Sequence, residues 1–168
     1  MGTTCIYSSN NLCWDETHRM NYWLVKSEPR SYAIDDLAQD KETAWSGVRN
    51  YQARNNMRAM RNGDIVFFYH SGTAPLGIAG VAEVSREAYP DETAQDSADD
   101  HFDKRATMEK PIWEMVDIRL VRKLKEVITL SELKKDPLLA NILVARSGQR
   151  LSVMTVSREH GEYLLKRV

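Results

Sequence analysis

The stretches Ile65-Val66-Phe67-Phe68-Tyr69, Ser71-Gly72-Thr73-Ala74-Pro75 and Leu76-Gly77-Ile78-Ala79-Gly80-Val81-Ala82-Glu83-Val84 decide the fold. The first, apolar throughout, is the strongest strand signal in the chain. The second has the Gly, Ser and Pro content of a hairpin loop. The third reads as a returning strand, in which Gly77 and Gly80 mark a bulge or the close approach of another backbone.

Upstream, Tyr22-Trp23-Leu24-Val25 reads as a buried strand closed by the loop Lys26-Ser27-Glu28-Pro29. Ile34–Gln39 reads as a short helix, and Ala33 in its cap position predicts a frayed start. Asn50–Arg61 is a helix with Ala53, Met57 and Met60 at helical spacing, ended by the turn Asn62-Gly63-Asp64. The two methionines are expected to fill core.

Downstream, Tyr89–Lys110 carries Asp91, Glu92, Asp96, Asp99, Asp100, Asp103 and Glu109 and is expected to be a solvated loop. Alternation returns from Trp113, with Val116, Ile118 and Leu120 on one face of a half-buried strand. Thr129-Leu130-Ser131-Glu132 matches a capping box, and Asp136-Pro137 should cap a further turn. Leu151–Val156 is a last strand and Arg158–Lys166 a last helix. There is no internal repeat. Strands and short helices mix without regular βαβ alternation, which gives an α+β class with a curled sheet or barrel.

The 168 residues suit one core, and 42% hydrophobic with 28% charged residues excludes wholesale disorder. Residues 20–168 are expected to form a single domain, with 1–19 a disordered arm or a non-native extension, since that segment shows no period. Met1-Gly2-Thr3-Thr4-Cys5-Ile6 begins like a myristoylation site but has Ile6 where Ser or Thr is required. The N-terminus lacks the basic and apolar regions of a secretory signal, and no apolar run is long enough to span a membrane. Cys5 and Cys13 both precede Met20, so the body of the chain has no cysteine for a disulfide, a zinc site or a nucleophile. A reducing compartment fits.

With 23 Lys and Arg against 24 Asp and Glu, the net charge of −1 excludes a protein that grips nucleic acid by bulk charge. The mean hides segregation. Trp45–Arg61, Arg119–Lys125 and Arg146–Arg158 carry cations and no acid, while acids gather near residues 87–109. This pattern reads either as a bipolar molecule or as solvated faces of separate elements.

Four stretches look more like a binding site than a core: Val25-Lys26-Ser27-Glu28-Pro29; Trp45-Ser46-Gly47-Val48-Arg49-Asn50-Tyr51-Gln52-Ala53-Arg54-Asn55; Phe67-Phe68-Tyr69-His70-Ser71 with Gly77–Val84; and Arg150-Leu151-Ser152-Val153. Together they resemble the EVE domain family over nearly all of residues 21–168, with Tyr89-Pro90-Asp91 and Pro111–Leu124 also in place. Ala33 departs from the serine usual in the family. The resemblance implies a PUA-like fold, a small closed or nearly closed β-barrel surrounded by short helices, related to YTH domains. It implies a reader of modified bases in DNA or RNA, often a modified cytosine such as 5-methylcytosine.

A base taken from a strand must be stacked, bonded along its edge and shielded from water. Trp45 is the stacking candidate, or else a core residue that fixes its loop. The amides of Asn50, Gln52 and Asn55 suit a base edge, though Asn50 equally suits a helix cap. Ser27 could bond the base and Lys26 a phosphate or exocyclic oxygen. His70 and Ser71 end the strongest strand, where a barrel mouth would lie. Val48, Leu151 and Ser152 complete the expected pocket, and Trp113 is either core or cage. Arg49, Arg54 and Arg150 are the expected backbone and phosphate contacts.

Two other classes compete. A general PUA-type RNA-binding module would read shape or sequence without the modification. A nucleotide- or base-processing enzyme could be drawn from Ser27, His70 and Glu28, but there is no Gly-x-Ser-x-Gly elbow, no HExxH and no Gly-rich phosphate loop. No enzyme activity, cofactor or metal is expected. The expected partner is nucleic acid, single-stranded or with the modified base flipped out, and not a membrane. A monomer in the cytoplasm, or in the nucleus if the source is eukaryotic, completes the expectation.

Overall fold

In the computed structural model, residues 20–168 are described in full, preceded only by a backbone ladder that pairs Ile6–Tyr7 with Cys13–Trp14. The expected arm over 1–19 otherwise lies outside the described residues. Six strands form the main sheet: β1 (Tyr22–Ser27), β2 (Glu42–Trp45), β3 (Ile65–His70), β4 (Gly77–Pro90), β5 (Glu114–Thr129) and β6 (Val153–Val156). Their order across the sheet is β2-β5-β4-β3-β1-β6. Only β1 and β3 run parallel; every other pairing is antiparallel.

All six residues of β3 are buried. The strand is flanked on both edges and covered on both faces, so an uninterrupted apolar run is what its position demands. Strands β4 and β5 are longer than their apolar patterns, at 14 and 16 residues, and their ladder shifts register at four points. Extra residues at such shifts bend a strand, which curls the sheet. Gly77 sits against the Ile128 carbonyl of β5, and Gly80 leaves room for Ile34. Both glycines thus mark close approach, one of the two readings expected of them, to backbone at Gly77 and chiefly to the Ile34 side chain at Gly80.

The edge strands β2 and β6 do not pair with each other. Helix α2 (Tyr51–Ala59) packs against the edge strand β6 and against β4 and β5, which lie toward the other edge. Asn50 caps it, its Oδ1 accepting from Ala53 N at 3.0 Å. Met57 and Met60 are fully buried. The curled sheet thus forms a barrel that no ladder of the described residues closes, with α2 packed against three of its strands.

Helix α1 (Ile34–Asp40) corrects the expectation of a frayed start. Ala33 offers no side-chain acceptor, but Asp36 accepts from Ala33 N at 2.7 Å and His70 Nε2 accepts from the buried Ile34 N at 3.1 Å. The cap comes from another strand. Helix α3 (Leu130–Lys135) carries the expected capping box, with Glu132 accepting from Thr129 N and Thr129 Oγ1 from Glu132 N. Ser157 caps α4 (Arg158–Arg167).

The acidic segment is also corrected. Strand β4 continues to Pro90, and Ala94, Ala106 and Trp113 form a small second core beyond it. Asp96, Asp99 and Asp103 each accept from the backbone N–H two residues on, so these acids build turns. The result is an ordered flap folded over the start of α2.

Candidate functional site

A cavity of about 510 Å³ opens where β1, β2 and the loop after β2 meet. Lys26, Ser27 and Glu28 enter from the end of β1, and Ser31 and Tyr32 from the turn before α1. Thr43, Ala44 and Trp45 come from β2, and Ser46–Arg49 from the loop beyond it. Ser152 and His101 close the remaining sides.

Trp45 is nearly buried, its ring edge-on to Phe68 at 5.5 Å between centroids. That contact packs the indole against the core where Trp45 lines the cavity. Ser27 Oγ donates to the Tyr32 carbonyl at 2.7 Å, which commits its proton and leaves its lone pairs as acceptors. Lys26 N donates to Ser152 O, and Lys26 Nζ to Gln149 O at 2.9 Å. Burial pulls the Lys26 ammonium below its usual pKa.

The loop that supplies Gly47, Val48 and Arg49 is held by Asp91, whose carboxylate is fully buried. Its Oδ2 accepts from Gly47 N at 2.9 Å and Arg49 Nη1 at 2.7 Å. Its Oδ1 accepts from Thr93 N and Thr93 Oγ1. Burial pushes this carboxyl up, but the bonds from Thr93, Arg49 and Gly47 outweigh it and the pKa falls below the usual value. Gly47 adopts φ 75°, a left-handed conformation, and a Cβ there would stand 3.0 Å from the His101 ring. Arg49 Nε also donates to His101 O, so the acidic flap is tied to the cavity rim.

Of the expected pocket, Lys26, Ser27, Trp45, Val48 and Ser152 converge, and Arg49 joins them as a wall residue paired to Asp91. The other expected residues lie elsewhere. His70 is under α1, with Nε2 turned to Ile34 N–H and not to the cavity. Asn50 is a helix cap, and Asn55 accepts from the Arg54 guanidinium. Gln52 is exposed on α2 away from the cavity lining. Trp113 lies in the second core, 2% exposed, with the Tyr51 ring 4.8 Å away. Leu151 packs in the main core. Arg54 donates to the Ile112 carbonyl and lies over the Tyr51 ring, which gives it a structural role in place of the expected phosphate contact. Ser71 and Arg150 line a second groove, described below.

Sequence reasoning missed Ser31, Tyr32, Thr43, Ala44 and His101 as lining residues. Ser31 and Tyr32 follow Val25–Pro29 and Thr43 and Ala44 precede Trp45, so proximity in sequence was the available signal for them, whereas His101 reaches the cavity only through the fold-back of the flap. The drawn set of Ser27, His70 and Glu28 does not form a nucleophilic relay: Ser27 donates to Tyr32 O and His70 accepts from Ile34 N. Among the described residues no group of His, Cys, Asp and Glu could hold a metal ion, and no helix is long and apolar enough to cross a membrane. An aromatic wall, hydroxyls and one desolvated ammonium suit a flat ring with polar groups along its edge.

Mouse thymocyte nuclear protein 1 is 43% identical over 165 residues, covering 86% of this chain and 72% of its own. A hypothetical protein from Leishmania major superposes with a TM-score of 0.84 at 50% identity, over 88% of this chain and 94% of its own. Human THYN1 protein, crystallised in complex with 5-methylcytosine containing DNA, superposes with a TM-score of 0.80 at 40% identity, over 88% of this chain and 96% of its own. A Zygosaccharomyces rouxii YTH domain, at 14% identity and a TM-score of 0.51, shares the fold. The EVE domain family model matches residues 21–167, and this chain belongs to that family.

Proposed function

We propose that this protein is a reader of modified bases that holds a modified cytosine, drawn out of a nucleic-acid strand, in the cavity beside Trp45. The observation that carries this reading is the cavity itself: an indole wall with acceptor and donor groups at its edge, in a domain whose human relative was crystallised with 5-methylcytosine containing DNA. Stacking on an aromatic contributes about 1–3 kcal/mol per base. The Ser27 lone pairs suit an exocyclic amino group, and Lys26 suits a ring carbonyl. Val48 and Ala44 offer the apolar contact that a 5-methyl group needs.

Burying one methyl is worth about 0.8 kcal/mol, close to a fourfold preference. Matched oligonucleotides with cytosine, 5-methylcytosine or 5-hydroxymethylcytosine, in DNA and in RNA, test the reading by fluorescence anisotropy. At least about fourfold tighter binding of one modified form is expected on this arithmetic. Equal affinities across the panel would leave a general nucleic-acid-binding module in its place. Mass spectrometry of the recovered strands is expected to show no turnover, and a changed base would mean an enzyme.

A further inference from the structure

Beside the base cavity lies a groove of about 350 Å³, and Lys26 lines both. Lys26, Lys134, Arg146 and Arg150 line the groove with no acid among its lining residues, while the carboxylate of Glu28, from the base cavity, packs beside Gly72 at its edge. Among the described residues none of these four cations is paired with a carboxylate. Elsewhere several cations of the basic segments are paired within the fold: Arg49 with Asp91, Arg58 with Glu114, Arg119 with Glu83, Lys123 with Asp35 and Arg158 with Glu162. What sets the groove apart is that its four cations line one concave surface with no acid among its lining residues.

The groove floor adds backbone donors. Gln149 N donates to Arg146 O at 3.4 Å across a tight turn in which Gly148 has φ 74°. The turn leaves Ser147 N–H and Gly148 N–H without an acceptor among the described residues, and such groups are natural partners for phosphate oxygens. Gly148 stands in open space, so a ligand can approach its backbone closely.

We propose that this groove is the track for the phosphodiester backbone of the strand whose base enters the cavity, with Lys134, Arg146 and Arg150 meeting phosphates next to the captured nucleotide. Lys26 stands at the junction of base and backbone. The proposal rests on the base-reading function above and adds the path of the strand. It also reassigns the phosphate contacts expected of Arg49 and Arg54, both engaged inside the fold, to the other end of the cavity.

The test compares the full chain with a variant carrying Lys134→Gln, Arg146→Gln and Arg150→Gln, all exposed positions. Each phosphate contact contributes about 0.7–0.9 to the slope of log K against log salt, so between about 50 and 200 mM salt the wild type should lose about 20- to 40-fold more affinity for a 5-methylcytosine oligonucleotide than the variant does. Binding of the free nucleoside 5-methyl-2′-deoxycytidine, which has no phosphate, should be the same for both proteins. An unchanged salt slope overturns the proposal, and so does a loss of nucleoside binding in step with the slope. A wild type that fails to tell modified from unmodified oligonucleotides would instead overturn the base reading, and a lower slope in the variant would still stand for the groove.

Discussion

Replacing Asp91 with Asn probes the joint between fold and site. The two side chains have nearly the same shape, but four donors converge on the carboxylate, from Gly47 N, Arg49 Nη1, Thr93 N and Thr93 Oγ1. An amide oxygen can keep the Thr93 pair. The amide NH2 must then face the Gly47 and Arg49 donors, so two bonds to a charged acceptor are lost. Such bonds contribute about 1.5–3 kcal/mol each, and breaking a buried ion pair from one side costs about 3–5 kcal/mol. Arg49 keeps some access to water, with its side chain 20% exposed, which favours the low end, about 3 kcal/mol. For a domain of this size that lowers the melting temperature by about 6–12 °C.

The pH dependence of the same variant is equally defined. The pKa of Asp91 is lower in the folded protein than usual, since the Thr93, Arg49 and Gly47 bonds outweigh the opposing effect of burial. A depressed carboxyl contributes stability that is present above about pH 4, its ordinary value, and lost as pH falls through the folded value. The melting curves of wild type and Asp91→Asn should therefore lie apart near neutrality and draw together in acid. Calorimetry across pH measures this. A gap under about 2 °C at neutral pH, against the shift expected for 3 kcal/mol, would refute the role given to Asp91. A gap that stays constant into acid would do the same. Base discrimination should weaken in this variant, because Gly47 and Arg49 would no longer be held at the cavity wall.

His70 should titrate below its ordinary value, because burial, opposed by Asp35 and aided by Lys123, lowers its pKa and Nε2 must stay unprotonated to accept from Ile34 N–H. Its contribution to stability is present above about pH 6.5 and lost as pH falls through the lower folded value, so an NMR titration giving a pKa above about 6.5 would sink the capping role. His70→Leu should cost about 1 kcal/mol, as other lost helix caps do, without changing base selectivity in the oligonucleotide panel. Gly77→Ala should destabilise by about 3 kcal/mol, because the new Cβ meets the Ile128 carbonyl, whereas Gly148→Ala meets nothing and costs only its left-handed φ, about 1 kcal/mol. Urea unfolding separates the two, and equal losses would contradict the close approach at Gly77. Arg54→Ala should leave the salt slope of oligonucleotide binding unchanged, since its guanidinium is held by Ile112 O; a reduced slope would return it to the phosphate contacts.

The secondary structure was legible where the physics is local. Buried strands such as Ile65–His70, the alternation from Trp113 and the Thr129 capping box depend on neighbours within a few residues. The site was half legible. Trp45, Val48 and Arg49 lie in one short stretch, and Lys26 with Ser27 in another. Asn50, Asn55 and His70 have the right chemistry for a base edge, but Asn50 Oδ1, Asn55 Oδ1 and His70 Nε2 are engaged within the fold and none of the three lines the cavity. A sequence shows that a side chain can bond, not with what.

The sequence by itself determined an α+β chain with a central apolar hairpin, a core without cysteine, the family likeness and a site near Trp45. Periodicity, turn chemistry and residue type are properties of short segments, and they survive without a fold. Only the tertiary structure decided which polar groups remain available for a ligand. It brought Ser152 beside Lys26, folded the acidic flap over Gly47, and pulled His70 and Arg54 into structural bonds. It also showed where charge is cancelled and where it is left over, because ion pairing depends on distances across the curled sheet. The near-zero net charge of the chain therefore coexists with a groove lined by four cations and no acid.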